Sequence, residues 1–252
     1  MKLENKVAIV TGGASGIGQA IAVLYAKEGA KVVVSDINLE AAQMVVTEIT
    51  NAGGIASAVV ANVAKQEDID NLIDITVKTY GTLDILVNNA GIMDNFVPVA
   101  DVTDELWDKV MAVNVTGPMM AIRKAMPIFT QNKKGVIINT ASIGGLCGSR
   151  AGAAYTASKF AVIGLTKNIG YQYAKEGVRC NAIAPGGVKT NIGSTITNPN
   201  AFGQERAMSG VSTNPRYGEP TEIAQVALFL ASDDSSFVNG TVITADSGWT
   251  AY

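Results

Sequence analysis

Seven short apolar runs rich in β-branched residues recur along the chain, each separated from the next by a longer stretch of helical period, and this alternation most narrows what the chain can fold into. The runs lie at 6–11, 31–36, 55–63, 83–91, 135–142, 178–186 and 240–248, and the helix-like segments near 16–29, 38–52, 66–80, 101–131, 153–176 and 220–232. Strands that are apolar at every position are buried on both faces, and parallel pairing needs a crossover helix between successive strands. The expected fold class is α/β, a doubly wound seven-stranded parallel sheet of Rossmann type with helices on both faces. With 252 residues, 48% of them hydrophobic, one domain covering 1–252 is expected. The exception to the alternation is 187–219, rich in Asn, Thr, Ser and Gly. A polar insertion of that length after the carboxyl end of a strand is read as a substrate lid.

Composition removes several function classes. A net charge of −3 gives no basic field for nucleic acid or anionic lipid, and no apolar stretch is long enough for a membrane span. Two cysteines, Cys147 and Cys180, and an opening "MKLENKVAIVTGG" without a long apolar run point to a cytoplasmic protein. The chain has no histidine, which makes a transition-metal site improbable and removes the commonest proton carrier near neutral pH.

"TGGASGIG" (11–18) stands directly after the first strand and opens the first helix. Gly12, Gly16 and Gly18 permit a tight turn and close approach of a ligand, and the helix N-terminus offers free N–H groups to a pyrophosphate. The spacing is G-x-x-x-G-x-G. Asp36 closes the second strand, where a carboxylate accepts hydrogen bonds from an adenosine ribose and repels a 2′-phosphate. No Arg or Lys stands at 13–15 or 37, so NAD is expected over NADP.

"AAYTASKF" (153–160) places Tyr155 and Lys159 one helical turn apart, so their side chains share a face. An ammonium close to a phenol favours phenolate and lowers a pKa that is ordinarily about 10. A lysine-tuned tyrosine can therefore take the place of the missing histidine. Ser142, at the end of the fifth strand, can donate to a developing alkoxide as an oxyanion-hole donor does. Asn114 falls inside a long helical segment, 104–129, and Pro118 four residues on has no N–H to give its carbonyl.

The motifs "TGGASGIG", "NNAG" (88–91), Asn114, Ser142, "YTASK" and "PGGVKT" (185–190) stand in the order and spacing of the short-chain dehydrogenase/reductase family, which the chain resembles from about residue 4 onward. The resemblance implies four catalytic residues, Asn114, Ser142, Tyr155 and Lys159. Tyr155 would be general acid in reduction and general base in oxidation, Lys159 would tune it and hold the nicotinamide ribose, and the Asn114 carbonyl would hold a water linking the lysine to solvent. It also implies cofactor contacts at Gly12, Ser15, Gly16, Ile17 and Gly18, at Asp36 and Ile37, and at Asn89, Ala90 and Gly91. Pro185, Gly186, Val188 and Thr190 would lie near the nicotinamide. Asn62 stands where the family often has aspartate, and with Val63 it is kept as an adenine contact, since an amide both donates and accepts.

The pocket is expected between 91–96, 143–148 and the lid, with substrate contacts at Met93, Ser142, Leu146, Tyr155, Gly187 and Ile192. Phe96, Phe202 and Met208 add to its apolar lining. "GIMDNF" and "IGGLCG" hold no Arg or Lys to clamp an anion, and Arg206 and Arg216 are read as solvated lid charges. The expected activity is NAD(H)-dependent interconversion of a neutral ketone or aldehyde and an alcohol. Broad alcohol or carbonyl reductases, sugar or polyol dehydrogenases such as glucose 1-dehydrogenase, and hydroxysteroid dehydrogenases fit that description. The alternatives are a 3-oxoacyl-carrier-protein reductase and, from another class, a non-catalytic NAD-binding sensor or regulatory subunit. Segments 104–129 and 153–174 are apolar over most of their circumference, so a second copy of the chain is expected against them; the resemblance implies a homotetramer through these helices, with the C-terminal "GWTAY" as a further contact.

Overall fold

A computed structural model of the chain describes residues 1–251. Its centre is a seven-stranded, all-parallel sheet in the order β3-β2-β1-β4-β5-β6-β7. The strands are β1 (Val7–Thr11), β2 (Lys31–Asp36), β3 (Ile55–Val60), β4 (Ile85–Asn88), β5 (Gly135–Thr140), β6 (Val178–Pro185) and β7 (Val242–Ala245). Successive side chains alternate between two apolar layers. Ala8, Val10, Val32, Val34, Ile85 and Val87 face α1 (Gly16–Lys27), α2 (Leu39–Asn51) and α8 (Pro220–Ala231). Ile9, Val33, Leu86 and Ile137 face α3 (Gln66–Tyr80) and α5 (Gly117–Gln131). That two-sided burial is why the strand segments read as continuously apolar. Each fully buried Val, Leu or Ile contributes about 1.5–3 kcal/mol through area removed from water.

Strand order reverses between β1 and β4, so the connections from β1 to α1 and from β4 to the helix that starts at Asp104 diverge there and leave a crevice beyond the strand ends. A buried polar chain fixes the neighbouring elements across it. Asn88 Nδ2 donates to Asn139 Oδ1 (2.9 Å), and Asn139 Nδ2 donates to Thr166 Oγ1 (2.9 Å) on α6 (Ala153–Gln172).

Two expectations need correction. The helical segment 101–131 is not continuous: α4 (Asp104–Met111) passes through a π-helical turn, Ala112–Thr116, before α5 begins. Pro118 explains the break, because it offers no N–H to the Asn114 carbonyl, and the Gly117 N–H reaches back five residues to the Ala112 oxygen. The segment 187–219 is not bare loop. It contains α7 (Ala201–Met208) and two 3-10 turns, Asn191–Thr195 and Val211–Thr213. Among the described residues no helix is long and apolar enough to cross a membrane. Tyr252, the end of the segment expected to meet a neighbour, lies outside the described residues.

Candidate active site

A cavity of about 690 Å³ opens at the carboxyl ends of the strands. It is lined by every site residue expected from the sequence except three: Gly18, Asn114 and Leu146. Gly18 is buried in the first turn of α1, where a Cβ would overlap the Gly12 carbonyl oxygen and stand 2.6 Å from Asn89 Nδ2. Its place is close packing beneath the turn, not ligand contact. Leu146 is 41% exposed and lies off the cavity, where the 3-10 turn Ile143–Gly145 presents Ile143 instead; Phe202, in the first turn of α7, is exposed and off the cavity as well. Asn114 is buried behind the cavity. Its Oδ1 accepts the Ile92 N–H (2.9 Å), while Nδ2 donates to the Ile92 oxygen (3.0 Å) and to Ser158 Oγ (3.1 Å). Its side chain thus ties the chain beyond β4 to α6, a structural task distinct from anything its carbonyl does.

At one end of the cavity the N-terminus of α1 is left open. Ser15 makes no side-chain cap, and no acid stands in the first turn. Those N–H groups and the positive end of the helix dipole suit an anion. Asp36 lies beside them, with Oδ2 accepting the Ala14 N–H (3.2 Å) and Oδ1 the Asn38 N–H (3.1 Å). Asn38, not Asp36, caps α2, accepting the Ala41 N–H. The Asn62 side chain is already half committed, since its Oδ1 accepts the Ala64 N–H (3.0 Å); its Nδ2 is the group left to a ligand.

At the other end stand Ser142, Tyr155 and Lys159. Lys159 Nζ donates to the Thr140 carbonyl oxygen (2.9 Å) and lies 5.4 Å from the centre of the Tyr155 ring. Ser142 Oγ accepts the Gly144 N–H (2.9 Å), which leaves its hydroxyl proton to be given elsewhere. The expected depression of the phenol's pKa is not what the protein alone produces. Burial pushes Tyr155 up to about 12, with the Ser142 hydrogen bond opposing it and the Asp94 charge adding to it. Burial likewise brings Lys159 down to about 8. For the phenol, desolvation outweighs the hydrogen bond from Ser142.

Two residues escape sequence reasoning, one behind the cavity wall and one in it. Asp94 is fully buried, and its carboxylate accepts the N–H groups of Tyr155 (2.8 Å), Gly152 (3.1 Å) and Phe96 (3.2 Å). It caps α6 from another part of the chain, holding the backbone that carries the phenol. The signal was Gly152 at the N-cap, which has no side chain to cap its own helix. Arg150 is the second; it lines the cavity two residues beyond "IGGLCG" and corrects the expectation of a wall without cations. Arg206 is exposed and Arg216 is paired with Glu222, so those two stay out of the cavity.

A family model described as Enoyl-(Acyl carrier protein) reductase matches residues 12–250. The 3beta-hydroxysteroid dehydrogenase 2 of Eggerthella lenta is 45% identical over 99% of this chain and 96% of its own. The cyclohexanol dehydrogenase of an Acinetobacter species is 41% identical over 99% of this chain and 97% of its own. A crystal structure from Beutenbergia cavernae superposes with a TM-score of 0.89 at 37% identity, covering 100% of this chain and 99% of that one. It is described as a candidate NAD(P)-dependent gluconate 5-dehydrogenase with NADP bound at low occupancy.

Proposed function

The chain belongs to the short-chain dehydrogenase/reductase family of alcohol and carbonyl oxidoreductases, and from that premise we propose an NAD(H)-dependent enzyme that interconverts a ketone or aldehyde and an alcohol, with Tyr155 carrying the proton. The observation behind this reading is one cavity that encloses the Tyr155 phenol, the Ser142 hydroxyl and the Lys159 amine at one end and Asp36 at the other. The open α1 N-terminus fits a pyrophosphate, and the Asp36 carboxylate fits ribose hydroxyls. Among the described residues the only cations lining the cavity are Arg150 and Lys159, so no cation meets a 2′-phosphate beside Asp36. This favours NAD over NADP and counts against a 3-oxoacyl-carrier-protein reductase.

When bound, the dinucleotide would exchange a hydride with the substrate carbon. Tyr155 then gives its proton to the carbonyl oxygen in reduction and takes it back in oxidation. Reduction uses the protonated phenol, the form burial favours. Oxidation uses phenolate, which the Lys159 ammonium and an oxidised nicotinamide both favour. Ser142 donates its free hydroxyl proton to the same oxygen and stabilises the alkoxide charge. The Asn114 carbonyl, without an N–H at Pro118, holds a water that connects Lys159 to solvent. A sensor or regulatory subunit has no use for this complete proton-handling set.

The segment 187–219 acts as the lid. Trp107 and Phe160 are partly exposed on α4 and α6 and belong to the contacts of a homotetramer. The unpaired Cys147 and Cys180 agree with a cytoplasmic location. The names of the relatives support an alicyclic secondary alcohol or its ketone as the reacting group. The test is reduction of cyclohexanone and of a 3-oxosteroid with NADH and NADPH. The expected result is turnover with kcat/KM at least about tenfold higher for NADH, the scale of one charged hydrogen-bonded contact. Equal or better use of NADPH contradicts the cofactor assignment.

A further inference from the structure

Arg150 faces the same cavity as Tyr155 and Ser142 and has no part in the proton chemistry. Its guanidinium lies over the indole of Trp249, 4.1 Å from the ring centre. Trp249 is itself anchored, its Nε1 donating to the Gly210 oxygen (3.1 Å) and to Thr213 Oγ1 (2.9 Å). Nη1 is hemmed by Gly210, where a Cβ would stand 2.6 Å away. The guanidinium is therefore held in one orientation, not left to wander in solvent.

What it lacks is an acceptor. Nε is buried without a hydrogen-bond partner, and among the described residues no carboxylate forms an ion pair with this arginine. The contrast with its neighbours is sharp. Arg216 places two nitrogens on Glu222, and Lys159 donates to the Thr140 oxygen. A partly buried cation without an acceptor is costly to keep, and a planar guanidinium matches a carboxylate through two parallel N–H···O bonds. Met93, Phe96, Ile192 and Met208 give the lining an apolar share, and the polar groups beside them, Asn191, Ser194 and Thr195, carry no charge.

We propose that Arg150 determines substrate specificity by receiving a carboxylate at the end of the substrate remote from the reacting carbon, so that the substrate class is an oxo- or hydroxy-carboxylate with an apolar body. This rests on the oxidoreductase reading above. It revises the expectation of a neutral substrate: the reacting carbonyl is neutral and the charge sits at the far end.

The experiment compares each acid with its methyl ester, in two lengths: 4-oxocyclohexanecarboxylate and 4-(4-oxocyclohexyl)benzoate. NADH-dependent reduction is followed for the wild type, Arg150→Met, Arg150→Lys and Tyr155→Phe. In at least one pair the wild type prefers acid to ester by about tenfold or more in kcat/KM. Arg150→Met removes that preference by raising KM for the acid, while ester turnover stays within about twofold; Arg150→Lys keeps part of it, as a point charge without the fork does. Two results overturn the proposal: a wild type that does not distinguish acid from ester in either pair, or an Arg150→Met variant that slows acid and ester equally, which would make Arg150 only a clasp for Trp249. A wild type that reduces neither acids nor esters overturns the proposed substrate class, whereas the oxidoreductase reading stands or falls with the reduction of cyclohexanone and the 3-oxosteroid. Ester reduction that is lost in Tyr155→Phe upholds that reading whatever becomes of Arg150.

Discussion

At the Asp36 end of the cavity the turn closes on its own strand–helix–strand unit, the Ala14–Asp36 hydrogen bond spanning 22 residues, and a single side chain from beyond β4 clamps it, Asn89 Nδ2 donating to the Thr11 and Gly12 oxygens. At the Arg150 end the contacts join distant segments. Met93 N–H donates to Thr195 Oγ1 (3.0 Å) and Thr197 N–H to Asn95 Oδ1 (3.0 Å), each across 102 residues. Asn200 N–H donates to the Asn95 oxygen (2.8 Å). Asn95 makes its two contacts from left-handed backbone, and Phe96 follows in the same conformation, at φ of 54° and 58°, which costs of order 1–3 kcal/mol for a residue with a side chain. One end is a glycine turn closed tightly on backbone; the other is assembled by docking separate segments through hydrogen bonds.

The largest expected effect tests the glycine turn. In Gly18→Ala the new methyl overlaps the Gly12 carbonyl oxygen, a backbone atom that cannot move without reshaping the turn. Overpacking of this kind costs about 1–3 kcal/mol, so NADH affinity falls by up to about 100-fold and the melting temperature by several degrees. Fluorescence titration with NADH and thermal denaturation measure both. Unchanged values would contradict the tight closure of this end.

Asp94→Ala joins the two regions. It removes the acceptor for three buried N–H groups, including that of Tyr155, and each such loss costs about 1–3 kcal/mol. The expected outcome is a fall in kcat of about tenfold or more with NADH affinity unchanged, because the phenol's backbone loosens while the Asp36 end is untouched. An equal loss of NADH binding would show that α6 and the dinucleotide end are not independent.

This division also explains what the sequence makes legible. Strand and helix alternation, the 11–18 turn and the Tyr155–Lys159 pair depend on period and short spacing, so they are visible in a single chain. A glycine-rich turn does not reveal which glycine faces outward and which packs beneath, so Gly18 reads like its neighbours. Hydrophobicity does not tell the two sides of a short 3-10 turn apart, so Leu146 reads as a pocket residue. The sign of the Tyr155 shift is not legible, because burial depends on elements far along the chain. Arg150 is hidden for the same reason: its position is set by Trp249, 99 residues on, and by the turn at Gly210.

The smallest expected effect on NADH binding tests the docked end. In Gly203→Ala the added Cβ would stand 1.7 Å from the Phe96 carbonyl oxygen, a backbone overlap no milder than that in Gly18→Ala, so α7 must be displaced from the 95–96 turn. The ketone KM should rise about tenfold or more, since overpacking against backbone costs about 1–3 kcal/mol, with NADH affinity within about twofold. An effect on NADH as large as that of Gly18→Ala would remove the distinction between the two ends.

The central claim is that the Tyr155 phenol carries the proton, and single-turnover measurement of hydride transfer in Tyr155→Phe tests it most directly. Alcohol oxidation by NAD⁺ in the wild type should quicken with rising pH, since the base form is required, with its inflection well below the value of about 12 to which burial, above all, pushes the phenol in the protein alone. The variant should bind NADH as the wild type does and transfer hydride about 10²–10⁴-fold more slowly at every pH, the span of general acid–base catalysis. Hydride transfer at the wild-type rate in that variant would contradict the account.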